Sequence, residues 1–414
     1  MNTPEEHKPH ERISRAKARA AAGPTFLQHS FRPFFMAAGI WATLAVPFWL
    51  LSYRDFLTLP ADFDIYLWHR HEMLFGFAAA AIAGFILTAI PNWTGRLPMS
   101  GWRLGALAAL WLAGRLGFLA AVWAGPIVVA VLDLSFLTAL AAVIARELIR
   151  GKNWRNLPVL ILICLFGLGN WLVHFQTLDL AETAELGIRL SIFTLATLLA
   201  LIGGRVVPSF TRNWLARRGI EGLPEPMGRF DKIALAVLIV FVVAQVFAPD
   251  ALATATLALL AGGLHGARLL RWKFWKVLSE PLLWVLHLGY GWLAVAFILI
   301  GLAGITDFVP AKAAIHALTV GGFGTMTLAV MTRASLGHTG RELKATWGTT
   351  AIFVAITLAA ALRVVEPFLD GQFPSAIWIS AIAWTAAFGT FSVLYFPVFT
   401  QARVQPRQPS ARPN

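Results

Sequence analysis

Twelve stretches of this chain are each long and apolar enough to cross a lipid bilayer as a helix, and that repetition leaves few folds open. A spanning helix needs about 20 consecutive apolar residues. Windows of that length fall near 31–52, 67–91, 102–124, 126–148, 157–177 and 185–207, and again near 230–248, 251–271, 281–303, 310–333, 347–366 and 374–400. A backbone in hydrocarbon must satisfy its own polar groups, which leaves helices or closed barrels. Runs this long exclude barrel strands. The expected fold is therefore all-α, a polytopic membrane protein of twelve transmembrane helices. Composition agrees, with 58% of residues apolar and 13% charged, too little polar surface for a soluble domain of this size.

The charges then orient the spans. With the N-terminus inside, the inner segments hold Lys8, Arg12, Arg15, Lys17 and Arg19, then Arg96 and Arg103, then Arg146, Arg150, Lys152 and Arg155. Further along, Arg212, Arg217, Arg218, Arg229, Arg271, Lys273, Lys276, Arg341 and Lys344 fall on the same side. The opposite side holds Asp55, Asp62, Asp64, Asp179, Glu182, Asp250, Asp307 and Asp370. This is the positive-inside pattern, with both termini cytoplasmic. The net charge of +13 is thus a matter of topology and anionic headgroups, and calls for no nucleic-acid partner. Residues 1–28 read as a disordered cytoplasmic tail, 29–402 as one membrane domain and 403–414 as a second cytoplasmic tail. No cleavable signal peptide is expected, because residues 1–30 are polar and the first apolar run is long enough to stay as a span. One cysteine, Cys164, allows neither a disulfide nor a Cys-x-x-Cys-His attachment, so any haem is held non-covalently.

Two segments share a skeleton with no change of spacing. The first is His71-x4-Gly76-x17-Thr94-Gly95-Arg96-x5-Trp102, and the second is His316-x4-Gly321-x17-Thr339-Gly340-Arg341-x5-Trp347, with Ala89 and Ala334 also matching. Pro91-x2-Thr94 recurs as Pro208-x2-Thr211, and Arg205 and Arg333 both fall at the position of Thr88. Spans 2, 6 and 10 run in the same direction, four helices apart. Three repeated four-helix units would account for this.

Ionisable groups inside a bilayer cost about 2.5–3.5 kcal/mol or more at mid-span and so seldom sit there idle. The topology places His69, His71, His174 and His316 near the outer face, and His29, His265, His287 and His338 near the inner one. His69 and His71 point about 200° apart on a regular helix, so they serve different sites. His71 shares its face with Phe75 and Ala78, where a flat porphyrin would lie, and the repeat pairs it with His316. That pair is the expected set of axial haem ligands; hydrogen-bonded interfacial histidines are the plainer alternative. Arg115, buried mid-span, and Arg363, near the outer end of span 11, suit a buried carboxylate or a propionate. His69 and His174 in the same layer, with Met73 as a sulfur ligand, suit copper. Asn170, one turn before His174, would share its polar site. His287, His265, His338, Arg205 and Arg333 are candidates for a second, inner site, although positive-inside anchoring accounts for most arginines. No catalytic residue is assigned. P-loop, dinucleotide, Ser-His-Asp and zinc-protease motifs are missing from the sequence.

Taken together, Phe31-Arg32-Pro33-Phe34-Phe35, Trp68-His69-Arg70-His71-Glu72-Met73 and Pro91-Asn92-Trp93-Thr94-Gly95-Arg96 resemble the NnrS family of bacterial membrane proteins. So do Gly203 to Asn213, Pro281-Leu282-Leu283-Trp284 through His287, His316-Ala317, and Met331 to Arg341. The resemblance runs from residue 31 to about residue 347. It implies a place in nitric oxide metabolism and denitrification, haem b and copper as cofactors, nitric oxide as ligand or substrate, an unidentified electron donor, and the bacterial inner membrane. A more distant likeness is to the haem–copper oxidase and nitric oxide reductase fold, which also has twelve spans in three arcs and a bis-histidine haem between helices 2 and 10. This chain departs from it in lacking histidines on spans 6 and 7. The expected function is binding and detoxifying nitric oxide, with nitrosative-stress protection as the outcome. A nitric oxide reductase producing nitrous oxide and a twelve-span transporter are the alternatives.

Overall fold

A computed structural model describes residues 23–57, 64–369 and 371–404. Most of both expected tails, His7, His10, Asp62 and Asp370 lie outside the described residues. Twelve main helices follow in order: α1 Phe31–Tyr53, α2 Ile65–Thr94, α3 Trp102–Leu119, α4 Pro126–Arg150, α5 Leu157–Thr177 and α6 Ala184–Ala216. The second half comprises α7 Arg229–Phe247, α8 Leu252–Arg271, α9 Pro281–Ala303, α10 Ala311–His338, α11 Trp347–Val365 and α12 Ala376–Thr400. No strand occurs among the described residues, and the all-helical expectation holds. Several starts follow from local chemistry. Pro126 and Pro281 open α4 and α9, where a missing N–H costs nothing.

Ten of these helices are long and apolar enough to cross a membrane. α3 and α8, of 18 and 20 residues, are the two expected spans not among them. Arg103 and Arg115 lower the apolarity of α3; His265, Arg268 and Arg271 do so for α8. The chain establishes a multi-pass membrane protein.

Packing closes the chain on itself. Neighbours in sequence pack in space, and α12 returns against α1. The Arg32 guanidinium donates to the carbonyls of Phe399 (2.6 Å) and Gln401 (2.8 Å), and Trp384 Nε1 donates to Ala42 O at 2.9 Å. Phe31 is fully buried in this seam against Phe399, while Phe34 and Phe35, equally buried, face α2 and α4.

The two segments that share a skeleton take the same local form at each landmark. A π-helical stretch begins directly after each histidine, Glu72–Ala78 in α2 and Ala317–Gly324 in α10. Such wide turns recur at functional sites. Gly95 and Gly340 lie at φ +68° and +72°, the left-handed conformation that ends a helix and that glycine adopts without strain. Thr94 and Thr339 each donate back to the carbonyl four residues earlier, at 2.9 and 2.6 Å. Trp102 and Trp347 begin the next helices and are exposed, as interfacial anchors should be.

Candidate metal centre and its neighbouring polar clusters

The first cluster lies among α2, α3, α4 and α5. His71 is the last residue before the π turn of α2, and its ring is fully buried. Its Nδ1 lies 3.1 Å from Glu72 Oε1. On the other edge, His71 Nε2 lies 3.1 Å from Asp133 Oδ2 and 3.1 Å from Asn170 Oδ1. His174 Nε2 approaches the same Asp133 oxygen at 3.0 Å, and Asn170 Nδ2 donates to it at 2.7 Å. Thr177 Oγ1, 3.4 Å from His174 Nδ1, orients the second imidazole.

The ligand atoms of His71, Asp133 and His174 all lie within 4.8 Å of one another, and all three residues are buried. Behind them, Arg115 donates to Glu72 Oε2 at 2.8 Å and, through its other terminal nitrogen, to Asp133 Oδ1. Gly76 lets this ion pair approach the helix: a Cβ there would collide with Trp41 Nε1 and meet the Arg115 guanidinium at 2.6 Å. Phe75 and Phe118 wall the imidazole of His71, with ring centroids at 4.9 and 4.4 Å. Two carboxylates therefore face one guanidinium, and two imidazoles converge on the Asp133 oxygen that the guanidinium leaves free. An arrangement of that sort attracts a cation. Two imidazoles and a carboxylate are ligands suited to copper or zinc, and a carboxylate on the far ring nitrogen is the usual outer support.

The second cluster lies among α6, α7, α8 and α9. Tyr290 hydroxyl contacts His265 Nδ1 at 2.7 Å and accepts from Arg268 at 2.6 Å, while Arg268 Nε donates to Asp231 Oδ1 at 2.9 Å. His287 is held separately, between Thr211 Oγ1 (3.2 Å) and Leu283 O (3.0 Å). Most polar atoms here have a partner supplied by the chain; His265 Nε2 and one terminal nitrogen of Arg268 are buried without one.

The third cluster lies where α1, α2, α10 and α11 meet. The His69 ring stacks on Trp49 with centroids 4.3 Å apart, and its Nδ1 is buried without a hydrogen-bond partner, as are Trp49 Nε1 and Ser52 Oγ. His316 Nδ1 donates to Lys312 O at 2.6 Å, which leaves Nε2 with the lone pair. His69, His316 and Arg363 lie within electrostatic reach of one another. Arg363 is anchored by Glu366 at 2.5 Å.

The structure thus distributes the sequence candidates differently from expectation. It brings His71 to His174, not to His316, and it brings His316 to His69, not His174 to His69. Met73 is partly buried and packs on the apolar core. His265 and His287 do not share a site. Arg205 donates to Asn156 Oδ1 at 3.1 Å, Arg333 lies 4.3 Å over the Phe210 ring, and His338 packs on Phe31. Sequence reasoning missed Glu72, Asp133, Asp231, Arg268 and Tyr290. The signal for Asp133 was present: a buried arginine and a buried aspartate in adjacent apolar spans are natural partners for each other.

The NnrS protein family matches residues 25–403. No curated protein matches the chain. The chain belongs to the NnrS family.

Proposed function

We propose that this NnrS-family membrane protein binds nitric oxide and protects against it, using copper held by His71, Asp133 and His174 and a non-covalent haem b held between His69 and His316. The convergence of three buried ligand groups within 4.8 Å of one another carries the first assignment. The second is supported by the orphaned Nδ1 of His69, the fixed tautomer of His316 and the nearby Arg363 guanidinium, which would take a propionate. Family membership supplies the connection to nitric oxide. Copper and haem would supply redox-active centres able to ligate the gas.

The chain's own residues prepare both places. Glu72 holds the His71 ring through Nδ1, with Nε2 turned toward Asp133. Arg115 anchors Asp133 Oδ1, while Asn170 donates to Oδ2, the oxygen that both imidazoles face and that would ligate the metal. Phe75, Phe118 and Phe166 are buried around this site and exclude water, which strengthens each charge interaction.

Metal analysis and an absorption spectrum of the purified full chain test the proposal together. Copper near one per chain and a Soret band that shifts on adding nitric oxide are expected. Protein made in copper- and haem-replete cells that contains neither would overturn it. Nitrous oxide evolution under a chemical reductant would move the assignment from binding to reductase.

The same reading places twelve spans in the bacterial inner membrane with both termini in the cytoplasm. Alkaline phosphatase fused after Asp179 should be active and after Arg217 inactive. Activity of the Arg217 fusion would invert the whole arrangement.

A further inference from the structure

The centre of the bundle, where α2, α6 and α10 meet, holds two chambers that the metal and haem sites do not use. One has a volume of about 430 Å³ and lies toward the ends of α2 and α10 that carry Trp93 and His338. This is within the roughly 300–1,000 Å³ of ligand pockets. Thr88, Asn92, Arg205, Phe210, Arg333 and His338 line it, with no acidic residue in the wall. The other, about 110 Å³, adjoins it nearer the middle of α2 and α6 and is walled by apolar side chains such as Ala81, Ile82, Leu195, Leu199 and Met326. Phe35, Phe85, Ile202 and Val330 border both chambers.

The two arginines are the unusual feature. Among the fully buried guanidiniums, Arg115 is matched by Glu72 and Asp133 and Arg268 by Asp231, while Arg32 donates to the carbonyls of Phe399 and Gln401. Arg205 and Arg333 form no ion pair among the described residues. Arg205 has only the Asn156 amide oxygen, and its Nε is buried without a partner. Glu280 stands near Arg333, but it accepts from Trp214 Nε1 at 3.3 Å and caps α9 at Leu282 N. Arg155 near Arg205 and Arg217 near Arg333 add further positive charge. Unmatched guanidiniums beside hydrocarbon are costly, and they bind carboxylate or phosphate through paired hydrogen bonds.

We propose that these chambers bind an amphipathic anion, its carboxylate or phosphate head at Arg205 and Arg333 and its apolar chain in the adjoining space between α2, α6 and α10. The chain comes from a membrane lipid or from a diffusible fatty acid. A small inorganic oxyanion would leave the apolar chamber unused.

Native mass spectrometry of the full chain released from detergent reads the occupant. An anionic lipid adduct retained through purification assigns the membrane source. Uptake of added dodecanoate by adduct-free protein, with no uptake of 1-dodecanol, assigns the diffusible one. Arg205→Gln with Arg333→Gln should lower the adduct by roughly tenfold or more, the worth of a lost charge-assisted pair. Ala81→Phe, which fills the apolar chamber and leaves both guanidiniums, should lower it as well. The wild-type contrast between dodecanoate and dodecanol tests the proposal without any variant. Equal uptake of the two, no adduct under either condition, or an adduct unchanged in the folded variants would overturn it.

Discussion

Replacing His69 or His316 by alanine is expected to remove the haem absorption while copper stays near its wild-type level, and replacing His71 or His174 should do the reverse. The reasoning is geometric. His69 and His71 are two residues apart on α2, yet one ring lies on Trp49 of α1 and the other sits against Asp133 of α4. Each is therefore buried among a different set of helices, and loss of one need not disturb the other's partners. Removing a direct ligand should weaken copper by more than the roughly 10–100-fold that an outer partner is worth. Glu72→Gln, which keeps the hydrogen bond to His71 Nδ1 but loses its charge, should fall within that range. Metal content and the Soret band, measured on the same preparations, decide the matter. Loss of both cofactors from all four alanine variants, with the proteins still folded, would merge the two sites into one.

This expectation exchanges the roles that the sequence alone suggests for His69 and His71, and the reason is instructive. The apolar runs made ten of the spans legible, since hydrocarbon sets their length directly. Periodicity also showed that the two histidines face different ways. It did not show which neighbour each faces, because that depends on how α2 is rotated in the bundle. The π turn from Glu72 to Ala78 compounds the problem. A regular helix puts Glu72 on the face of His69; the wider turn sets in directly after His71, and the Glu72 carboxylate instead reaches His71 Nδ1. The duplicated skeleton was informative about local form, as the two π stretches and the two left-handed glycines show, but it says nothing about which histidines meet. Asn170 and His174 do share one polar site, as their spacing of one helical turn suggested. Arg115 was legible as a buried cation in need of a carboxylate. That it has two of them, from α2 and α4, needed the packing.

Those two carboxylates make Arg115 the residue whose loss should be felt most in stability. Glu72 and Asp133 are 0% and 3% exposed, and Arg115→Met keeps the apolar stem while deleting the charge between them. Breaking a buried pair by removing one partner costs about 3–5 kcal/mol, because the other charge is left uncompensated. Here two charges are left, so the effect should lie at or above the upper end of that range. Arg268→Met strands only Asp231, which retains a hydrogen bond from Gly228 N at 2.9 Å, and should cost less. Unfolding in detergent, followed by tryptophan fluorescence, compares the two. Adding Glu72→Gln to Arg115→Met should recover part of the loss by removing one of the stranded charges. Copper provides a further discrimination. A cation bound by His71, Asp133 and His174 would take over some of the work of the guanidinium, so copper should stabilise Arg115→Met more than wild type. It should do nothing comparable for Arg268→Met, whose cluster offers no such ligand set. If copper raises the stability of neither variant, the cluster in α2–α5 is a buried ion network alone, and the metal must be held elsewhere.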